Sequence, residues 1–306
     1  MGFWRGQPLL AAAALLMGLS AVATPAGGGT PAAIAHSTAP DQALIRVDLS
    51  GGFVAPQSLI QQMPLFVLYG DGSAITQGPH IAIYPGPALP NLLVTRLNED
   101  GIQAVLRAAQ DAGLLDGDHT YPGPHVSDMP TTVFTVHANG RTTVVSAYAL
   151  GFEANQPNLP VPDRAARAKL TDFLGHVTSL SSVLPAADIA QPESSYTIER
   201  LQIISQPAAA EGTPQPGTPA LGGEADWPLS TPLAQFGVPS AAAAVLPQGR
   251  CGVVAGADAH TLVAALQRAN ELTLWRSGGA LYRVYARPLL PDESGCPARP
   301  AATPAP

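Results

Sequence analysis

The chain has 306 residues and a formal net charge of −7, with 15 Lys and Arg against 22 Asp and Glu. This acidic balance argues against nucleic acid and anionic lipid as partners, because both are bound through clustered Lys and Arg. The length is sufficient for one large domain or two smaller domains with cores of their own.

Residues 1–23 contain the three parts of a secretory signal peptide. Arg5 lies near the start, residues 9–19 are an apolar run, and residues 21–23 are small, as a cleavage site requires. The apolar run is about half of the ~20 residues that a membrane-spanning helix needs, which favours a cleaved signal over a retained anchor. We therefore expect a secreted or cell-envelope protein with no stable transmembrane segment after cleavage.

Three tracts rich in Ala, Gly and Pro divide the rest of the chain. Residues 24–43 are predicted to be a flexible leader, residues 206–244 a linker and residues 298–306 a disordered tail. These tracts delimit two units, an α+β domain at 44–205 and a smaller unit at 245–297.

The first half of the N-terminal unit contains three strands and a helix. A strand is predicted at 44–49, and a hairpin joins 65–69 to 74–76, because Asp71-Gly72 between apolar runs favours a tight turn. Residues 92–97 form another strand, and Asn98 is placed to cap a helix at 99–111, which carries apolar residues on one face.

Asn139-Gly140 predicts a second hairpin, between strands at 131–138 and 141–150. One face of this hairpin is apolar, so we expect helices to cover it. A helix at 164–180 with Asp163 as its cap has the matching apolar stripe, and a strand at 196–204 completes the unit. The predicted fold is an antiparallel sheet with two helices on one face.

The C-terminal unit has a βαββ pattern, with strands at 251–254, 272–276 and 281–287 and a helix at 259–270. Cys251 and Cys296 are the only cysteines, and in an exported chain they are predicted to form a disulfide. Closing this loop stabilises a fold by ~4 kcal/mol on chain-entropy estimates. The alternative of a redox-active pair is disfavoured by the wide spacing.

The N-terminal unit contains, in this order, Tyr69-Gly70-Asp71-Gly72, the helix at 99–111, Tyr121, the segment 126–130 and the Asn139-Gly140 hairpin. This order resembles a domain of unknown function in exported bacterial proteins. The segment with Trp275, Tyr282 and residues 287–293 is similar to the end of uncharacterised secreted proteins of high-GC bacteria. The resemblance implies the α+β fold and the location, and it implies no activity.

The densest polar segment is a loop that contains Asp116, Asp118, His119, Tyr121, His125 and Asp128. Carboxylates and imidazoles are ligands of divalent cations, so this loop is a candidate metal or ligand site. Its spacing follows no recognised metal motif, and the alternative is a solvated loop shaped by prolines and glycine. Tyr121 and Asp128 could orient a ligand, or hydrogen-bond to each other to fix the loop.

A second candidate is the C-terminal hairpin with Trp275, Tyr282, Arg283 and Tyr285. Aromatic and arginine side chains are common anchors of protein contacts, so these residues are a candidate interaction surface. The alternative is that the rings supply the core of a small unit. In the following loop, Arg287 with Asp292 and Glu293 is predicted to form a surface ion pair of little energetic value.

The sequence contains no Gly-x-Ser-x-Gly, no His-Glu-x-x-His and no phosphate-binding Gly-Lys-Ser/Thr loop. We therefore predict a secreted non-catalytic binding or inhibitor-like protein that acts on an envelope or secreted protein, without a cofactor. The alternatives are an extracellular metal-dependent or hydrolytic enzyme that uses the 116–128 loop and a structural component of the envelope.

Overall fold

Five helices and two mixed β-sheets make up the described part of the chain, so the predicted α+β class is confirmed. The computed structural model describes residues 32–123, 126–152, 159–208, 222–240 and 246–296. The predicted signal peptide and tail lie outside these residues. The helices are α1 Pro56–Gln61, α2 Glu99–Asp111, α3 Val161–Val177, α4 Leu180–Val183 and α5 Gly256–Leu266. None of these helices is both long and apolar enough to cross a membrane.

The first sheet has eight strands in the spatial order β5-β7-β6-β1-β2-β3-β4-β8. They are β1 Ala43–Gly51, β2 Phe66–Tyr69, β3 Ser73–Gln77, β4 Leu92–Leu97, β5 His119–Tyr121, β6 Pro130–Ala138, β7 Arg141–Tyr148 and β8 Ile189–Ser195. All neighbours are antiparallel except β5 and β7, which are parallel. The sheet is therefore mixed rather than purely antiparallel.

Local sequence signals position most of this sheet as predicted. Asn139 and Gly140 adopt positive φ angles of 52° and 69° and join β6 to β7, which confirms the hairpin. The side chain of Asn98 accepts a hydrogen bond from the Gly101 amide and caps α2, as expected. Helices α2 and α3 cover one face, where Phe134 and Val136 are buried with the apolar faces of both helices.

Helix α3 begins three residues earlier than predicted, and Asp163 is not its cap. Pro162 lies in the first turn, where a missing backbone N–H costs nothing, and Asp163 follows inside the same turn. The fully buried Arg167 donates hydrogen bonds to the carbonyl oxygens of Tyr148 and Ala149. The helix is thereby fixed to the end of β7.

The second sheet has six strands in the order β10-β13-β14-β9-β12-β11. They are β9 Arg200–Pro207, β10 Glu224–Asp226, β11 Val238–Pro239, β12 Arg250–Ala255, β13 Leu274–Ser277 and β14 Ala280–Pro288. Helix α5 covers one face, and β10 pairs with β13 in parallel. The predicted βαββ pattern is the core of this sheet, but three further strands extend it.

One strand was assigned to the wrong sheet by the sequence prediction. The segment predicted at 196–204 forms β9, which lies between β12 and β14 in the second sheet. The first sheet ends instead at β8, which the prediction did not include. Both faces of β9 are covered, and Leu201 and Ile203 pack against α5 on one face while Ile204 packs beside Cys251 on the other. Leu201, Ile203 and Ile204 supply apolar side chains to both faces, as a strand covered on both sides requires.

The described parts of the predicted leader and linker are also tied into the fold. Ile34 is buried and its amide and carbonyl groups both bond to the side chain of Gln103. Within the predicted linker, β10 and β11 pair with strands of the second sheet. The described residues from Ile34 to Cys296 belong to one compact unit.

The loop after β14 connects the second sheet to the face of the first sheet opposite α2 and α3. Leu290 is fully buried in a small core with Met63, Val67 and Tyr69. Beside it, the two carboxylates of Asp292 and Glu293 meet the guanidinium groups of Arg46 and Arg287, and the four side chains are only 13–22% exposed. We call these four residues, together with Tyr69, the ionic clamp.

The bonds of the ionic clamp are short and mostly charge-assisted. Arg287 donates to both carboxylate oxygens of Glu293 at 2.7 Å, and Arg46 donates to Glu293 at 2.7 Å and to Asp292 at 3.0 Å. The hydroxyl of Tyr69 donates to Asp292 at 2.6 Å. The predicted surface pair of Arg287 is therefore a half-buried network that links β14 to β1 and β2.

The pKa of Glu293 is lowered. Burial alone would raise it, but the hydrogen bonds and charge of Arg287, the hydrogen bond from the Leu290 amide and the hydrogen bond from Arg46 together outweigh the effect of burial. Burial, followed by the hydrogen bond to Asp292, raises the pKa of the Tyr69 hydroxyl. Glu293 is therefore held as a carboxylate and Tyr69 as a neutral donor.

The predicted disulfide is confirmed. Cys251 on β12 is bonded to Cys296, with the two sulfur atoms 2.01 Å apart and the Cα atoms 5.8 Å apart. The bond encloses α5, β13, β14 and the loop of the ionic clamp.

Substituting Glu293→Gln should lower the free energy of unfolding by about 3 kcal/mol, because two half-buried guanidinium groups lose their shared counter-charge. The matched control is Glu224→Gln, whose carboxylate pairs with Arg276 in an exposed position and should cost less than about 1 kcal/mol. Because the pKa of Glu293 is lowered in the fold, its contribution is present above the unfolded pKa and disappears as the pH falls through the native pKa. Urea unfolding of the variants and the wild type across acidic pH measures both effects, and equal losses in the two variants would contradict the assignment.

The double variant Cys251→Ser/Cys296→Ser should lose ~4 kcal/mol of stability, because the unfolded chain gains the freedom of a long open loop. Denaturant unfolding gives the value. The control is the wild type in reductant, which should lose the same amount of stability. A wild type whose stability does not change in reductant would contradict a stabilising role of the disulfide.

Candidate functional site

Four of the six residues predicted in the 116–128 loop line one cleft. It has a volume of about 410 Å³ and lies between the end of α2, strand β5 and the start of α3. Its polar lining consists of Asp116, Asp118, His119, Tyr121 and Lys169. The sequence prediction did not include Lys169, which α3 brings to the cleft.

Some of these polar side chains make contacts that stabilise the fold around the cleft. Asp118 accepts a hydrogen bond from the Val144 amide at 2.8 Å and so fixes β5 beside β7. The rings of His119 and Tyr121 contact each other in a tilted arrangement, with their centroids 4.2 Å apart. Burial, then the charges of Asp163 and Asp116, raise the pKa of Tyr121.

The described residues of the predicted loop do not form a metal centre. In the described part of the chain, no group of three or more His, Cys, Asp and Glu side chains could hold a metal ion. His125 lies outside the described residues. Asp128 has a positive φ of 64° and its carbonyl oxygen accepts from the Phe53 amide, and the described contacts include no hydrogen bond from Tyr121 to Asp128.

The rings of the predicted interaction surface on the C-terminal hairpin are buried, as in the alternative in which they supply the core of this unit. Trp275 is only 2% exposed and packs edge-to-face on Trp227 with the ring centroids 6.0 Å apart. Tyr282 lies in the same core, and Tyr285 is buried on the opposite face of the sheet beside Cys251. Arg283 is partly buried and donates to the Leu272 carbonyl oxygen. The alternation of β14 sends its rings into two cores and leaves no aromatic surface there.

Large exposed apolar side chains instead occur on a segment that the sequence analysis did not single out. Ile81, Ile83 and Tyr84 are 68%, 59% and 74% exposed, and they share a loop that joins β3 to β4. A second set, Phe53, Val54 and Leu59, is exposed on α1 and the residues before it. Exposed apolar residues concentrated in this way mark contact sites more often than scattered ones do.

The loop between β3 and β4 is held at both ends. At its start, the Gly78 amide donates to the Asn91 carbonyl oxygen, and the Asn91 side chain donates to the Pro79 carbonyl oxygen. At its far limb, the Gly86 amide donates to the Glu271 carboxylate and the Glu271 amide donates back to Gly86. The exposed apex between these anchors is therefore presented on a fixed base.

A cleft of about 560 Å³ opens beside this loop, between the two sheets. Its lining is Gln61, Pro79, His80, Ile81, Pro87, Ala88, Leu89, Pro90, Asn91, Leu92, Ser195, Tyr196, Ile198, Leu266 and Gln267. Apolar side chains predominate, and the polar ones are amides, hydroxyls and one imidazole. We call this cleft, together with Ile83 and Tyr84, the loop–cleft surface.

Comparison with known protein families, curated proteins and solved structures finds no match to this chain.

Trp275→Ala should lower the free energy of unfolding by about 3–5 kcal/mol, because it removes a fully buried ring from the core between the second sheet and α5. Tyr84→Ala, which truncates an exposed ring, is the matched control and should change stability by less than about 0.5 kcal/mol. Urea unfolding compares the two, and a small loss for Trp275→Ala would restore the hairpin as a candidate surface.

Proposed function

We propose that the protein is an exported, non-catalytic binding protein and that it contacts a protein partner through the loop–cleft surface. The observation that carries this proposal is the exposure of Ile81, Ile83 and Tyr84 on a loop whose two ends are hydrogen-bonded to the rest of the fold. A held loop loses little conformational entropy on binding, so its apolar contacts contribute more fully to affinity.

The cleft beside the loop supports a partner with apolar, uncharged contact groups. Pockets of several hundred Å³ with mainly apolar walls and a few polar groups are the usual form of binding sites. The same geometry suits the inhibitor-like version of the proposal, in which the loop between β3 and β4 enters the active-site cleft of a secreted enzyme.

Export is part of the proposal. Its support is the secretory signal pattern at residues 1–23 and the Cys251–Cys296 disulfide, because stable disulfides form mainly in oxidising compartments. The resemblance to exported bacterial proteins of unknown function stays a prediction.

The alternative of a metal-dependent or hydrolytic enzyme rests on the cleft with Asp116, His119 and Tyr121. Lys169 adds a fifth polar group to that lining, but Asp118 is already engaged by the Val144 amide. No further observation favours this alternative or the structural envelope component.

Ile81→Ser/Ile83→Ser should weaken capture of the partner from culture fluid or envelope extract by about tenfold or more, because two apolar contacts are lost. The amount retained on immobilised protein is measured by quantitative mass spectrometry. The matched control is Val161→Ser/Val238→Ser, which alters two exposed apolar residues outside the loop–cleft surface and should capture as the wild type does. Retention of the same proteins by both variants, or of none by the wild type, would count against the proposal.

A further inference from the structure

We infer that a cleft at the end of the β6–β7 hairpin binds an oxyanion, a carboxylate or phosphate group carried by a small ligand. The cleft has a volume of about 410 Å³ and lies between residues 35–42, which we call the N-terminal strap, and residues 137–142 of the hairpin. The inference goes beyond the proposed function, because this cleft shares no residue with the loop–cleft surface. Its lining is Ala35, His36, Ser37, Gln42, His137, Ala138, Gly140, Arg141 and Thr142.

The two walls of this cleft are hydrogen-bonded to each other. The Ala35 amide donates to the side-chain oxygen of Asn139 at 3.0 Å, and the Asn139 amide donates to the Ala35 carbonyl oxygen at 2.7 Å. Next to this contact, the side chain of Gln103 on α2 bonds to both the amide and the carbonyl group of Ile34. The N-terminal strap is therefore fixed against the hairpin before any ligand binds, so that binding requires little ordering of the chain.

Arg141 supplies a positive charge that no carboxylate of the fold neutralises. The residue is exposed at the start of β7, and its guanidinium group makes no hydrogen bond or ion pair with another residue in the described part of the chain. By contrast, Arg46, Arg96 and Arg287 each pair with a carboxylate. A guanidinium group presents parallel N–H groups that match two oxygens of a carboxylate or a phosphate.

Two further side chains can donate hydrogen bonds, one from each wall of the cleft. Nδ1 of His137 lies 2.8 Å from the hydroxyl oxygen of Thr142, its cross-strand neighbour. When the Thr142 hydroxyl donates to Nδ1, the proton of the neutral ring is on Nε2, which is then a donor. On the N-terminal strap, the Ser37 hydroxyl accepts from the Ala39 amide and keeps its own proton to donate. An oxyanion in the cleft therefore finds donors on both walls.

The charges around the cleft favour an anion over a cation. No Asp or Glu lines it, although the chain as a whole carries a net charge of −7. The carboxylate of Glu99 contacts the His36 ring at 3.1 Å, but it also accepts from Gln103 and does not line the cleft. The cleft beside α3, by comparison, contains Asp116 and Asp118, which repel an oxyanion. Charge complementarity therefore assigns the anion to the cleft at the hairpin.

The test titrates the isotope-labelled protein with inorganic phosphate and, separately, with acetate, while sodium chloride keeps the ionic strength constant. Two-dimensional NMR should show saturable shifts of the amide signals of residues 35–37 and 137–142, with a dissociation constant of about 1 mM for the preferred anion. Saturation by phosphate identifies a phosphate as the recognised group, and saturation by acetate identifies a carboxylate.

Arg141→Gln should weaken this binding about tenfold or more, because it removes the charge and the paired donors from an exposed side chain. The matched control is Arg268→Gln, which removes the charge of an exposed arginine in a cleft that also contains Glu224 and Asp226, and it should bind as the wild type does. His137→Ala should weaken the binding about threefold or more, because it removes the imidazole donor on β6.

Shifts that rise linearly with concentration for both anions would overturn the inference, because they indicate general charge screening. Saturable binding that Arg141→Gln leaves unchanged, or that Arg141→Gln and Arg268→Gln weaken equally, would overturn it as well. Amide signals away from the cleft should be the same in every variant, which shows that each variant is folded. Capture of a partner through Ile81 and Ile83 is measured independently, so that failure of the oxyanion site leaves the proposed function intact.

Discussion

The contact between the acidic pair Asp292–Glu293 and the guanidinium groups of Arg46 and Arg287 joins the two sheets of this protein, beside the hydrogen bonds of Glu271 with Gly86 and of Gln61 with Ala286. A half-buried ion pair offsets its desolvation cost only with good geometry and additional hydrogen bonds, and the Leu290 amide and Tyr69 hydroxyl supply those bonds. Leu290 then reaches the face of the first sheet opposite α2 and α3 and packs into a core there. Without this contact, that face would expose apolar side chains to water.

The loop–cleft surface depends on how the two sheets are joined. The walls of the cleft come from both sheets, with Leu92 and Ser195 from the first and Leu266 and Gln267 from the end of α5. Neither sheet forms the cleft alone. The site is therefore a product of how the sheets are joined, whereas each wall is an ordinary turn, strand end or helix end.

The sequence was most informative where one or two residues determine the local backbone. Asn139-Gly140 and Asn98 predicted a hairpin and a helix cap that the structure has, because turns and caps depend on neighbours in the chain. Pairing partners distant in sequence could not be predicted, which is why the sequence places β9 in the wrong sheet and does not distinguish the half-buried Arg287–Glu293 pair from a surface pair. The exposed apex at Ile83 and Tyr84 was missed because a few apolar residues among prolines are equally consistent with a buried loop.

The disulfide has a consequence beyond the module that it closes. Glu293 lies three residues before Cys296. The segment with Asp292 and Glu293 is therefore held at one end by β14 and at the other end by the disulfide to Cys251 on β12. Closing the bridge confines both carboxylates to the neighbourhood of Arg46 and raises their effective concentration there. The redox state of the surrounding solution is thereby thermodynamically linked to a contact on a different sheet. Reductant should weaken the contact of Arg46 on the first sheet with Asp292 and Glu293, although the first sheet contains no cysteine.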